Sequence, residues 1–192
     1  MAPILGIWAS SALPAANAGS FESIATVTVG SSTTNTITFS SIPNTYTHLQ
    51  LRYTARATDN DVQQYIYLRF NSDTGNNYAY HRLQGNGSSA SAAGGSSGSV
   101  IYYIGSVPAA QTNSSMFGPG VVDILDYKDT NKYKTVRALF GYDSNGGGDM
   151  YLGSGLWLNT SAISTITLTK QMTTSGDFSQ YSSFALYGIR GA

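Results

Sequence analysis

His48-Leu-Gln-Leu-Arg-Tyr-Thr-Ala-Arg56 decides the fold. Its apolar side chains recur at every second residue, the period at which a β-strand turns its side chains to one face. Leu49, Leu51, Tyr53 and Ala55 are therefore assigned to a core, and His48, Gln50, Arg52, Thr54 and Arg56 to the opposite face. The alternation continues in both directions. Upstream, Val27 and Val29 share a face in Thr26-Val-Thr-Val29, as do Ile37 and Phe39 in Thr36-Ile-Thr-Phe-Ser40. Downstream it predicts strands over 64–70, 77–83, 100–104, 120–127, 134–142, 150–158, 163–169 and 183–189. Turn residues separate these runs, and Pro43 in Ser41-Ile-Pro-Asn-Thr-Tyr46 blocks ladder continuation. No stretch carries apolar residues at helical spacing. The expected fold is all-β: an antiparallel two-sheet β-sandwich, jelly-roll-like, spanning 21–192 behind an extended N-terminal arm, 1–20. Strand order is left open by this reasoning.

Composition narrows the function. Of 192 residues 41% are hydrophobic and only 10% charged, against roughly a quarter charged in an ordinary soluble domain. Ser, Thr and Asn must supply the solubility. Ten basic residues balance ten acidic ones, so no basic excess exists to neutralise phosphates, and nucleic acid is disfavoured as a partner. Charge gathers in one place only, where Lys128, Lys132 and Lys134 lie near Asp126 and Asp129. No apolar run is long enough to span a membrane as a helix. With no cysteine, disulfides, thiolate metal sites and thiol nucleophiles are excluded.

Catalytic constellations are missing from the sequence pattern. His48 falls on the outward face of its strand, and His81 sits between Tyr80 and Arg82. Gly94-Gly-Ser96-Ser-Gly98 matches a hydrolase pattern formally, but no buried strand and helix flank it to form a nucleophile elbow. The hairpin tips Asn71–Asn76 and Asp143–Asp149 alternate oxygen ligands as calcium loops do, yet neither carries a bidentate glutamate, and Glu22 is the chain's one glutamate. They are read as turns. Asp123 and Asp126 stand three apart, on opposite faces of a strand, so this spacing does not pair them; Arg137 is the expected partner of one. No cofactor and no metal are expected. The run Gly85-Asn-Gly-Ser-Ser-Ala-Ser-Ala-Ala-Gly-Gly-Ser-Ser-Gly-Ser99 is read as a long exposed loop, because it holds too little apolar surface to order itself.

The N-terminal arm concentrates Ile4, Leu5, Ile7 and Trp8 in five positions. Ala16-Asn-Ala18 resembles a signal-peptidase site, but residues 1–21 hold no Lys or Arg, and Pro3 and Pro14 interrupt the run. These four apolar side chains are read instead as a partner-anchoring segment. A sugar would need an aromatic platform beside polar groups, for which Tyr78, Tyr80, Tyr102, Tyr103 and Trp157 are the candidates; the competing assignment of such rings is to the core or to an interface.

Several segments resemble a family of small structural proteins of tailed bacteriophages, common in aquatic phages. They are Ser23-Ile-Ala-Thr-Val-Thr-Val-Gly30, Ile37-Thr-Phe-Ser-Ser-Ile-Pro-Asn-Thr-Tyr-Thr-His-Leu-Gln50, Arg69-Phe-Asn-Ser-Asp73, Val122-Asp-Ile-Leu-Asp-Tyr127 and, above all, Phe178-Ser-Gln-Tyr-Ser-Ser-Phe-Ala-Leu-Tyr-Gly-Ile189. The opening Pro3-Ile-Leu-Gly-Ile-Trp8 is similar to a recurrent N-terminus. The resemblance covers 21–191. It implies a virion component without catalytic residues, assembled in the bacterial cytoplasm. The expectation is a displayed tail- or fibre-associated protein in host contact, with a capsid decoration protein or a carbohydrate-binding module as alternatives. Other phage structural proteins, further copies of the chain (a trimer is favoured) and a host surface glycan are the expected partners.

Overall fold

The computed structural model describes residues 19–171 and 175–191. Twelve strands run through them: β1 (Phe21–Thr28), β2 (Thr36–Phe39), β3 (His48–Ala55), β4 (Gln63–Phe70), β5 (Tyr78–Gly85), β6 (Ala90–Gly98), β7 (Ile101–Pro108), β8 (Gly118–Leu125), β9 (Lys134–Asp143), β10 (Gly148–Trp157), β11 (Ile166–Lys170) and β12 (Ser183–Ile189). They form an eight-stranded sheet, β1-β12-β3-β8-β9-β10-β5-β6, and a four-stranded sheet, β2-β11-β4-β7, with every pairing antiparallel. The fold is the expected all-β sandwich.

Its topology becomes simple once two hairpins are set aside. Without β5–β6 and β9–β10, the remaining eight strands pair first with last: β1 with β12, β2 with β11, β3 with β8, β4 with β7. That is one long antiparallel hairpin rolled over itself, the jelly roll. The two additional hairpins both extend the larger sheet beyond β8, in the order β8-β9-β10-β5-β6. The larger sheet therefore has a jelly-roll half and an added half.

Local sequence explains the layers. Leu49, Leu51, Tyr53 and Ala55 of β3 are all buried, as the alternation demands, each large apolar group contributing about 1.5–3 kcal/mol. They meet Ile66, Leu68 and Phe70 of β4 and Ile166 and Leu168 of β11 within one contiguous core. Two lysines are also fully buried. Lys134 donates to the carbonyls of Asp129, Lys132 (2.9 Å) and Thr160 (3.0 Å), and burial lowers its pKa. Lys170 reaches Asp59 at 2.8 Å, tying the end of β11 to the segment before β4. Asp73 accepts from Gly75 N (2.8 Å), Asn77 Nδ2 (2.9 Å) and Trp157 Nε1 (2.8 Å). Its carboxylate thus organises the turn between β4 and β5.

One sequence expectation fails. The segment 85–99 is not a loop: β6 occupies Ala90–Gly98 and pairs with β5 from Tyr78↔Gly98 to Gly85↔Ala90. Glycine gives no hydrophobic alternation, but it lets large rings lie flat on a neighbouring strand. The rings of Tyr80, His81 and Tyr102 occupy the space that side chains at Gly95, Gly94 and Gly98 would need. A bulge at Ser96–Ser97, with Ser97 at φ 57°, kinks this edge strand, as edges that avoid pairing with other chains commonly do.

Candidate functional site

The five proposed platform residues do not share one environment. Tyr78 and Trp157 are core residues, 0% and 1% exposed and stacked with ring centroids 6.1 Å apart. Burial raises the Tyr78 phenol to about 12, and its hydroxyl donates to Phe70 O (3.2 Å). These two rings cannot form a binding platform.

Tyr80, Tyr102 and Tyr103 are partly exposed and come together with residues that sequence reasoning did not select. Where the added half of the large sheet overhangs the small one, Tyr65 and Tyr67 of β4, Tyr102 and Tyr103 of β7, Tyr80 and Arg82 of β5 and Tyr151 of β10 converge. Tyr65 meets Tyr103 edge-on at 4.6 Å, and Tyr67 meets Tyr102 at 4.8 Å. The Arg82 guanidinium carbon lies 4.3 Å from the centroid of Tyr103 and 5.5 Å from that of Tyr65. Among the described residues Arg82 forms no salt bridge, so its charge rests on ring faces. The cluster depends on irregular backbone. Ile66 pairs with Gly105 but Leu68 with Ile101, so β7 carries extra residues at Tyr102–Tyr103, and Tyr103 adopts φ 56°. A non-glycine residue held there is strained, and such strain gathers at functional positions.

Beneath the rings, Gln63 Nε2 donates to the hydroxyls of Tyr65 (3.1 Å) and Tyr151 (3.3 Å), and Ser106 Oγ donates to Gln63 Oε1 (3.1 Å). Burial pushes the phenols of Tyr67, Tyr103 and Tyr151 above their ordinary range. They stay neutral at physiological pH.

The histidines and several carboxylates are engaged in contacts within the fold. His48 Nδ1 accepts from Asp126 N at 3.0 Å, and the His81 ring lies against Gly94. Asp123 accepts from Gln50 (2.8 Å) and Arg137 (2.9 Å) on the outer face of the large sheet. Lys132 bridges Asp126 and Asp129 at 2.8 and 3.4 Å. Among the described residues no three or more His, Asp or Glu side chains gather to hold a metal.

A second feature was also not anticipated. On the outer face of the added half, Val121 (β8), Leu139 (β9), Leu152 (β10), Leu83 (β5) and Ala92 (β6) stand in one cross-strand row, each directly opposite the next. All five are exposed. The arm residues Ile4, Leu5, Ile7 and Trp8 lie outside the described residues. No protein-family model matches the chain, and comparison with curated proteins finds no match.

Proposed function

We propose that this chain is a non-enzymatic structural protein of a bacteriophage particle, displayed on the exterior as a tail- or fibre-associated component that contacts the host. The observation that carries the reading is the tyrosine–arginine cluster. Tyrosine and arginine are the residues that recognition surfaces favour, because they offer large, rigid, amphipathic area at small entropic cost. Tyr80 and Arg82 lie on an added hairpin, outside the jelly roll, and functional sites are grafted on folds in this way. A host surface glycan fits the chemistry: ring edges and faces for the sugar's apolar patch, with Arg82 and the phenol hydroxyls as donors.

The sequence resemblance supplies the virion context, and the apolar N-terminal segment supplies an anchor to other particle proteins. The test is adsorption of purified protein to host cells and to a glycan array, comparing the wild type with Arg82→Ala and Tyr103→Ala. Binding that falls at least tenfold in both variants, with unchanged circular dichroism, supports host contact. Wild-type protein that binds neither cells nor glycans sinks it. The exposed apolar row favours a second reading, a decoration protein that cements neighbours on the capsid. Copy number separates the two: tens or fewer per particle for a tail component, hundreds for a capsid one.

A further inference from the structure

We infer that the outer face of the added half-sheet, β8-β9-β10-β5-β6, is a pairing surface for a second copy of this chain. The row Val121–Leu139–Leu152–Leu83 is exposed by 36, 55, 51 and 53%. Met150, 58% exposed, stands two residues along β10 on the same face, directly between Gly141 and Gly85. Those glycines cut a shallow trough of about 710 Å³ beside the row, lined also by Pro119, Val121 and Leu139. Five neighbouring strands thus present one contiguous apolar surface, the kind that monomers rarely leave in water.

The leucine row is confined to the added hairpins and the strand they join; on the jelly-roll half Phe21 is also exposed, but its ring stacks on Tyr187 at 4.7 Å with Arg52 over it. Across the jelly-roll half, the same register continues as Arg52, Ala185 and Thr26, which is ordinary sheet surface. The row on the other side of the leucines reads Asp123, Arg137, Ser154, His81 and Gly94. Its one acid is paired with its arginine at 2.9 Å, and the charge that remains on this face is Asp143, at the rim of the trough. Polar row and apolar row lie side by side on one face of the added half-sheet.

Its size suits a pair. Five strands at about 4.8 Å spacing and about eight residues at 3.4 Å give a footprint of about 650 Å² per copy. Two copies then bury about 1,300 Å², above the roughly 1,000 Å² that a specific interface must clear. A sheet face that meets itself closes as an isologous two-fold contact, so the surface specifies an even-numbered oligomer in place of the trimer favoured from the sequence. The pairing does not depend on what the tyrosine cluster binds.

The experiment uses the full chain at tens of micromolar in sedimentation equilibrium. Wild type is expected to be dimeric or a multiple of it. Leu139→Lys combined with Leu152→Lys is expected to be monomeric with wild-type circular dichroism, since both side chains are exposed within one copy. Because the chain has no cysteine, Leu152→Cys alone gives a second reading: mild oxidation should link two copies, while Thr54→Cys, on the jelly-roll half of the same face, should stay unlinked. A monomeric wild type overturns the inference. So does an oligomer that survives the double lysine substitution, one that dissolves when residues 2–18 are deleted, or Leu152→Cys that fails to cross-link.

Discussion

Gly95 lies directly against the ring of Tyr80, so close that a Cβ on the glycine would stand 2.8 Å from Cε1 of the tyrosine. The two are partners in the β5–β6 register. The glycine-rich stretch is therefore part of the tyrosine cluster: its bare backbone is the wall against which Tyr80 is set.

Gly95→Ala should destabilise the domain by about 1–3 kcal/mol, the usual cost of forcing extra volume into packed surroundings. Gly94→Ala is the control. It would also crowd a ring, with a Cβ 2.5 Å from His81 Cδ2, but His81 is exposed and free to swing aside. That change should stay within about 0.5 kcal/mol. Urea denaturation of both variants checks the contrast, and equal effects would show that β6 packs differently.

The Lys170–Asp59 pair is buried on both sides, at 1 and 3% side-chain exposure. Removing one partner leaves a charge in the core, at a cost of roughly 3–5 kcal/mol. Lys170→Met should therefore lower the melting temperature by on the order of 10 °C for a chain of this size. The exposed pair Lys132–Asp126 offers the comparison: Lys132→Met should leave the melting temperature almost unchanged, because solvent screens the pair.

Asp73 titrates at about 2, held down by the donors Asn77, Gly75 and Trp157. An unfolded Asp titrates near 3.9, so the unfolded chain binds the proton first as acid is added. The stabilisation from this group is complete above about pH 4 and is lost as pH falls toward 2. Asp73→Asn should flatten that part of the acid-denaturation curve while leaving the neutral-pH limb parallel to wild type. An unchanged slope between pH 4 and 2 would contradict the assignment.

Period-two alternation was sufficient to read the jelly-roll strands, because residues such as Leu49 and Leu51 meet the core on one face only. It failed at β6, where Gly94 and Gly95 offer no side chains to alternate and order comes from rings on the neighbouring strand. It was also blind to the leucine row. In Met150-Tyr-Leu-Gly-Ser-Gly-Leu-Trp157 both faces carry apolar residues, and a pattern of period two does not say which face meets the core. Tyr78 and Trp157 were drawn into the candidate platform by residue type alone. Only the topology, which places β5 and β10 side by side over β7, separates them from Tyr80, Tyr102 and Tyr103.

The last prediction concerns the N-terminal segment. The described domain ties itself down from Ser20 onward: Arg190 N donates to Ser20 O (3.0 Å), Glu22 pairs with Arg190 (3.3 Å), and β1 pairs with β12 from Phe21↔Ile189. Residues 2–18 show no strand alternation and are interrupted by Pro3 and Pro14, so deleting them should change the melting temperature by no more than about 2 °C, the scale of a neutral surface change. Incorporation into particles should be lost. Burying Ile4, Leu5, Ile7 and Trp8 in a partner would supply roughly 1.5–3 kcal/mol each, and ordering their backbone would cost roughly 1–2 kcal/mol per residue. One arm then holds by only a few kcal/mol, which makes attachment depend on several arms acting together. Trp8→Ala should accordingly show the same incorporation defect in milder form. Normal incorporation of the deletion would place the attachment elsewhere on the domain.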